Sequence, residues 1–234
     1  LTTLLLPDEG TASIEGWDIV KDYKEIRKHV GYMPGRFSLY QDLTVEENLT
    51  FFATVFGTTI AENYDLIKDI YEQIKPFSNR RAGKLSGGMK QKLALCCALI
   101  HKPKVLLLDE PTTGVDVVSR KEFWEMLKKL KEQGISILVS TPYMDEASLC
   151  DRIALIQSGK VLSTSTPEQI IAQYPTALYA IKAPDLYALL QHLREHPNID
   201  SCYPFGEYLH VTLKENTNIP IFEQQLKTTF PHLD

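Results

Sequence analysis

The chain has 234 residues, 44% of them hydrophobic and 24% charged, an ordinary globular composition with material for a sizeable core. Its formal net charge of −5 and the lack of a long block of like charge argue against a nucleic-acid partner. No apolar run is long enough to span a bilayer, and Cys96, Cys97, Cys150 and Cys202 make neither a C-x-x-C pair nor a zinc spacing, which fits a reducing compartment.

Taken in chain order, Leu1-Thr2-Thr3-Leu4-Leu5-Leu6-Pro7 reads as the end of a helix, and the sequence reads as a piece of a longer chain. Residues 11–20 alternate between turn residues and predict short strands. Thr44 and Glu47 form a capping box that opens a helix carrying Leu49, Phe52 and Phe56 on one face. A second helix is predicted over about 64–75, from the spacing of Leu66, Ile67, Ile70, Tyr71 and Ile74. Residues 40–100 are therefore mostly helical.

The pattern then changes. Val105-Leu106-Leu107-Leu108 is a continuous apolar run, the mark of a strand buried on both faces of a parallel sheet. The next helix takes Ser119 and Glu122 as its capping box, turns Phe123, Met126, Leu127 and Leu130 inward and stops at Gly134. A second buried strand over 135–140 completes a βαβ crossover. A strand pair follows at 153–156 and 160–163, joined by Ser158-Gly159, and Thr166-Pro167-Glu168 starts a short helix. Beyond it the predicted order is strand 177–183, helix 185–196, strands 199–204 and 207–213, and helix 218–229. That is most of a small ferredoxin-like α+β unit.

Two stretches carry chemistry. Asp109 and Glu110 stand at the carboxyl end of the buried strand, where open α/β sheets bind ligands. Adjacent carboxylates repel, and a Mg²⁺ or a proton relieves that repulsion; read from the residues alone, the pair could also cap the following turn. Leu85-Ser86-Gly87-Gly88-Met89-Lys90-Gln91-Lys92 opens a helix whose free N–H groups and dipole favour a phosphate, although a Ser-Gly-Gly cap is common in itself.

Together these stretches resemble the ATP-binding subunit of an ABC transporter, over residues 1 to about 170. LSGGMKQK is similar to the family signature, VLLLDEP to its Walker B strand and TGVD to its D-loop, while DRIALIQSGKVLSTSTPEQI resembles its closing hairpin and helix. The spellings GYMP, RFSLYQDLTVEENL, TTGVD and YMDEA look most like drug- and efflux-type exporters. The resemblance implies an α/β fold of the P-loop NTPase (RecA-like) type, with a parallel-sheet core and a helical subdomain over about 40–100. The expected division is an ATP-binding domain over 1–172 and an incomplete C-terminal accessory α+β domain over 173–234.

By position, the resemblance makes Asp109 the Mg²⁺ ligand and Glu110 the general base toward the attacking water. Ser86, Gly87 and Gly88 should touch the γ-phosphate of ATP held by the opposite subunit, and Asp116 should communicate across the dimer. The implied cofactors are ATP and Mg²⁺. The implied partners are transmembrane permease subunits and a second ATP-binding domain, at the cytoplasmic face of the membrane. Arg36, Phe37 and Tyr40 lie where the family docks its membrane partner.

Three departures stand against that pattern. No G-x-x-x-x-G-K-[ST] loop occurs; in the family it lies just before the stretch matching Leu1, and the expectation is that it belongs to chain outside these 234 residues. Gly35 replaces the usual glutamine after Tyr32-Met33-Pro34. Pro142 replaces the usual histidine after Ser140-Thr141, and proline neither donates a hydrogen bond nor titrates. The alternative reading is therefore a regulatory module that binds nucleotide and a partner but hydrolyses poorly.

Overall fold

The computed structural model describes residues 1–35, 39–173 and 176–233. Arg36 and Phe37, two of the three expected docking residues, lie outside that set. The chain divides into two compact units, Leu1–Cys150 and Asp151–Asp234. The hairpin and short helix at 153–172 therefore fall with the second unit, whereas the sequence division stands at 172/173.

In the first unit, β1 (Ser13–Ile14) and β2 (Trp17–Asp18) pair antiparallel. Then come α1 (Tyr23–His29), β3 (Val30–Met33), α2 (Val45–Val55), α3 (Tyr64–Ile74), α4 (Gly87–Leu99), β4 (Val105–Asp109), α5 (Val117–Glu132), β5 (Ser136–Ser140) and α6 (Met144–Ala147). The strands β3-β4-β5 form a parallel sheet in that order, with Leu108 opposite Met33 on one side and Val139 on the other. The central strand is buried on both faces because its leucines alternate. Leu106 and Leu108 enter the large core beneath α4 and α5, and Leu107 packs with Ile26 of α1, Val30 and Ile14.

The edge strand does not follow its prediction. β5 alternates between exposed and half-buried, and Leu138 is 53% exposed, because among the described residues β5 pairs with β4 alone. The leading segment differs as well. Residues 1–10 form bends instead of a helix, and Leu4, Leu5 and Leu6 are exposed. Thr3 sits at φ 59°, which a right-handed helix cannot include, and Pro7 disfavours helical backbone at Leu6.

The helical region follows its pattern. Thr44 Oγ1 accepts from Glu47 N–H and Glu47 Oε2 accepts from Thr44 N–H, the complete box, worth about 1 kcal/mol. Asn48 is fully buried. Its side-chain amide donates to the carbonyls of Tyr40, Leu43 and Thr44, and its oxygen accepts from Tyr40 N–H, so it holds the loop bearing Tyr40. Helix α4 carries Leu93 through Leu99 into the core. It lies so close to β3 that a Cβ on Gly31 would stand 2.4 Å from the Ala98 carbonyl oxygen. Helix α5 ends as its glycine predicts. Gly134, at φ 90°, donates to Lys131 O and Ile135 donates to Leu130 O, with both apolar side chains buried.

In the second unit, β6 (Ile153–Gln157) and β7 (Lys160–Ser165) form a hairpin whose turn residues Ser158 and Gly159 both have positive φ, the two-residue turn that matches strand twist. Helix α7 (Pro167–Ala172) is capped by Thr166, which accepts from Gln169 N–H. Then follow β8 (Leu178–Ile181), α8 (Leu186–Glu195), β9 (Ile199–Phe205), β10 (Tyr208–Leu213) and α9 (Ile219–Thr229). The sheet order β8-β10-β9 is antiparallel throughout and packs Leu189, Leu193, Leu209, Val211, Phe222 and Leu226 into its own core, which is the ferredoxin-like arrangement expected.

Gly31→Ala should lower the unfolding free energy by about 1–3 kcal/mol, because backbone cannot yield as a side-chain tip can. Denaturant unfolding measures this; an unchanged midpoint would mean that α4 can withdraw from β3 at no cost.

Candidate functional site

The acid pair stands where β4 ends. The β4–β5 register sets Asp109 opposite Ser140, and the Ser140 hydroxyl donates to Asp109 Oδ1 at 2.7 Å. The other carboxylate oxygen, Oδ2, lies 3.5 Å from where a Cβ on Gly35 would stand, and the Asp109 carbonyl oxygen lies 3.0 Å from it. Gly35, the site of one departure, thus abuts Asp109 with no side chain. The negative charge reaches Tyr32, whose hydroxyl is pushed above its ordinary range by burial first and by Asp109 second.

Glu110 is exposed and holds φ 45°, the left-handed region. Pro111 bars the helical conformation there, and Glu110 N–H is held by Ser140 O at 3.1 Å and Ser140 Oγ at 3.0 Å. Such backbone costs about 1–3 kcal/mol and persists only when its surroundings fix it. Thr113 donates its hydroxyl to Glu110 Oε2 at 3.1 Å.

The glycine-rich cap is a separate feature, joined to the acid pair through residues 110–116. Ser86 caps α4 by accepting from Met89 N–H at 3.4 Å. Ser86 and Gly87 are exposed, whereas Gly88 is buried against α5: a Cβ there would meet Ser119 Oγ at 2.6 Å. A Cβ on Gly87 would meet only Gly114 O, at 3.6 Å. Lys92 and Glu122 add an ion pair of 2.7 Å between the same helices. The start of α5 corrects the sequence reading. Its cap is Asp116, whose Oδ1 accepts from Ser119 N–H at 2.9 Å; Ser119 lies inside the helix. That hydrogen bond from Ser119 holds the Asp116 carboxyl below its ordinary range.

Pro142 is exposed just past β5, between two anchored neighbours. Thr141 donates to Glu146 Oε2 at 2.6 Å and accepts from Tyr143 N–H at 3.1 Å. Glu146 is 2% exposed and also takes Thr112 Oγ1 at 2.6 Å and Arg120 Nε at 3.0 Å on Oε1. The Arg120 guanidinium stacks 4.2 Å over the Tyr143 ring and pairs with Asp145 at 3.0 Å. Reading the sequence for chemistry misses Ser140, Thr112, Arg120 and Glu146. The signal that could have found Glu146 is a carboxylate on the inward side of a helix too short to be stable alone.

Elsewhere, His101 follows the C-terminal end of α4 and is half-buried. It stacks 3.8 Å from Phe56, its Nε2 lies 3.2 Å from Val30 O, and burial lowers its pKa to about 4, so it is neutral near pH 7. Among the described residues no group of three or more His, Cys, Asp or Glu could hold a metal unaided, and no helix is long and apolar enough to cross a membrane. An exposed aspartate at a strand end facing an empty glycine position still fits Mg²⁺, which takes one or two carboxylates and draws its remaining ligands from water and phosphate.

Comparison with known proteins gives a consistent result. A family model described as "ABC transporter" matches residues 1–113. The chain is 42% identical over 172 residues to the "Probable multidrug ABC transporter ATP-binding protein YbhF" of Escherichia coli, covering 73% of this chain and 30% of that protein. It is 36% identical over 174 residues to the "ABC transporter ATP-binding protein NatA" of Bacillus subtilis, covering 73% and 71%. It is 35% identical over 225 residues to the "Nod factor export ATP-binding protein I" of Burkholderia pseudomallei, covering 91% and 74%. The chain thus spans 30% of the first of these relatives. A solved ATP-binding subunit of an ABC transporter superposes with TM-score 0.66 at 28% identity, covering 74% of this chain and 73% of that one. A dimeric ATP-binding cassette bound to ADP and Pi superposes with TM-score 0.62 at 26% identity, covering 70% and 76%.

Gly88→Ala should destabilise the fold by about 1–3 kcal/mol through its collision with Ser119, and Ser119→Gly in the same chain should recover part of the loss. Gly87→Ala should leave thermal stability nearly unchanged, since its Cβ meets only an ordinary contact. A large loss in Gly87→Ala would contradict the geometry of the cap.

Proposed function

Because this chain belongs to the ABC transporter family, we propose that it is the ATP-binding and hydrolysing part of a membrane exporter. The observation that carries this reading is the Asp109–Glu110 pair at the carboxyl end of a buried parallel strand, held by Ser140. The exporter assignment draws on relatives named for multidrug transport and Nod factor export.

Asp109 would hold Mg²⁺, which when bound neutralises charge on phosphate oxygens. Glu110 is the general base: its carboxylate removes the proton from the attacking water, with Thr113 orienting it. Ser86, Gly87 and Gly88 offer a hydroxyl and free helix N–H groups to the γ-phosphate of ATP held by a second ATP-binding domain. Asp116 communicates across that dimer. Val117 and Val118, 78% and 69% exposed beside it, are apolar surface suited to such a contact.

On the resemblance of 151–170 to the family's closing hairpin and helix, the ATP-binding domain is assigned residues 1–172 and the accessory unit 173–234, although 151–172 fall with the second compact unit. Transmembrane permease subunits dock near Tyr40, which Asn48 fixes and which stacks edge-on with Phe51 at 4.7 Å, both rings exposed. The chain works as a peripheral subunit at the cytoplasmic face, and its formal charge of −5 gives no footing for nucleic acid.

A second reading, a weakened site that binds nucleotide but hydrolyses slowly, is favoured by Pro142 and Gly35. Gly35 offers Asp109 no side chain and Pro142, two residues past Ser140, offers no polar group, and a lost preorganised contact to the transition state costs about 10²-fold or more in rate.

Full-length protein with Glu110→Gln should bind ATP and lose turnover by about 10²-fold or more. An unchanged rate would remove Glu110 from the chemistry. Pro142→His should raise turnover if the site is weakened. Wild-type turnover at about 1 per second or faster, in the usual enzyme range, would dismiss the weakened site.

A further inference from the structure

We propose that Glu146 is a positioning residue that clamps the switch segment 140–147 to the segment following the acid pair, in register with Asp109 and Glu110. The catalytic part of this inference rests on the reading of the chain as an ATPase; the mechanical part does not.

Past Ser140, and apart from the Arg120 contacts with Asp145 and Tyr143, little else holds residues 140–147. β5 ends at Ser140, and α6 has four residues, whereas isolated helices shorter than about 12 residues are marginal in water. Pro142 supplies no N–H. Yet the segment is anchored, because Glu146 turns inward from α6 and both its oxygens are engaged. Oε1 receives Thr112 Oγ1 at 2.6 Å and Arg120 Nε at 3.0 Å, and Oε2 receives Thr141 Oγ1 at 2.6 Å. The three donors come from three places: the residue after Pro111, the first turns of α5, and the residue before Pro142. Helix α5 is itself seated by Phe123, Met126, Leu127 and Leu130. Burial of this carboxylate is compensated only while all these segments stay together, since a buried polar group left without partners is costly. The flat Arg120 guanidinium closes the arrangement by stacking on Tyr143. Any movement of residues 112–116 must therefore carry the backbone around Pro142 with it.

The test is amide hydrogen exchange on full-length protein without nucleotide, followed by ATPase kinetics. Thr112→Val removes one hydrogen bond to the carboxylate and should speed exchange of the amides in 141–148 by about tenfold. Glu146→Gln removes the charge that all three donors share and should speed it further, by well over about tenfold. Amides of β4 and α4 should stay protected in both variants, and Glu146→Gln should lower kcat with KM for ATP unchanged. Unchanged exchange over 141–148 in both variants would overturn the clamp. So would protection lost evenly across β4 and α4, which marks a general core role; faster local exchange with unchanged kcat would overturn the catalytic part. If Glu146→Gln does not fold, Thr112→Val decides alone. A wild-type protein that neither binds nor hydrolyses ATP would sink the proposed function, while the exchange data would still decide the clamp.

Discussion

The parallel pairing of β4 with β5 is the constraint on which the site depends. It places Asp109 across from Ser140, and from that one register come the hydroxyl on Asp109 and the two contacts that hold Glu110 N–H. A slip of one residue would turn every side chain of β5 to the other face and remove all of them at once. The buried leucines of β4 secure the register, since Leu106 and Leu107 belong to cores on opposite faces and cannot exchange places. Packing energy in the sheet thus becomes positional accuracy at its carboxyl end, and the strained backbone at Glu110 is tolerated there because neighbours on both strands fix it.

A second layer of constraint joins α4 to α5. Gly88 lets the two helices touch, and Asp116, by capping α5, sets where that helix begins. The residues expected to meet phosphate and those expected to meet a partner subunit therefore share one rigid edge. Charge is deployed sparingly along it. Exposed pairs such as Lys129–Asp69 contribute about 0–1 kcal/mol each, and Glu146, the one deeply buried acid among the described residues, serves placement better than stability.

How much of this was legible in the sequence follows from the range of the forces involved. Local rules read well: the Thr44 box, the Gly134 stop and the Ser158-Gly159 turn each depend on a few neighbouring residues, and the structure repeats them. The apolar run at 105–108 gave its strand because a central strand is buried whatever pairs with it. The same inference failed at 135–140, because burial of an edge strand depends on pairing that its own residues do not encode. Ser119 was misread as a cap because several residues near the helix start can cap, and only the backbone at Asp116 decides between them. The acid pair and the glycine cap were visible as motifs. The Glu146 contacts were not, since Thr112, Arg120 and Thr141 are unremarkable letters until folding brings them to one carboxylate.

The exposed flank of β5 has a bearing on colloidal behaviour. An edge strand with Leu138 half bare presents a ready row of backbone donors and acceptors beside an apolar side chain. In concentrated solution such a row acts as a template, and a strand from any neighbouring molecule can extend the sheet. Self-association of these residues by strand addition would begin there, strand against strand. Whether preparations stay clear is thus governed less by the depth of the core than by whatever shields one side of a single five-residue strand.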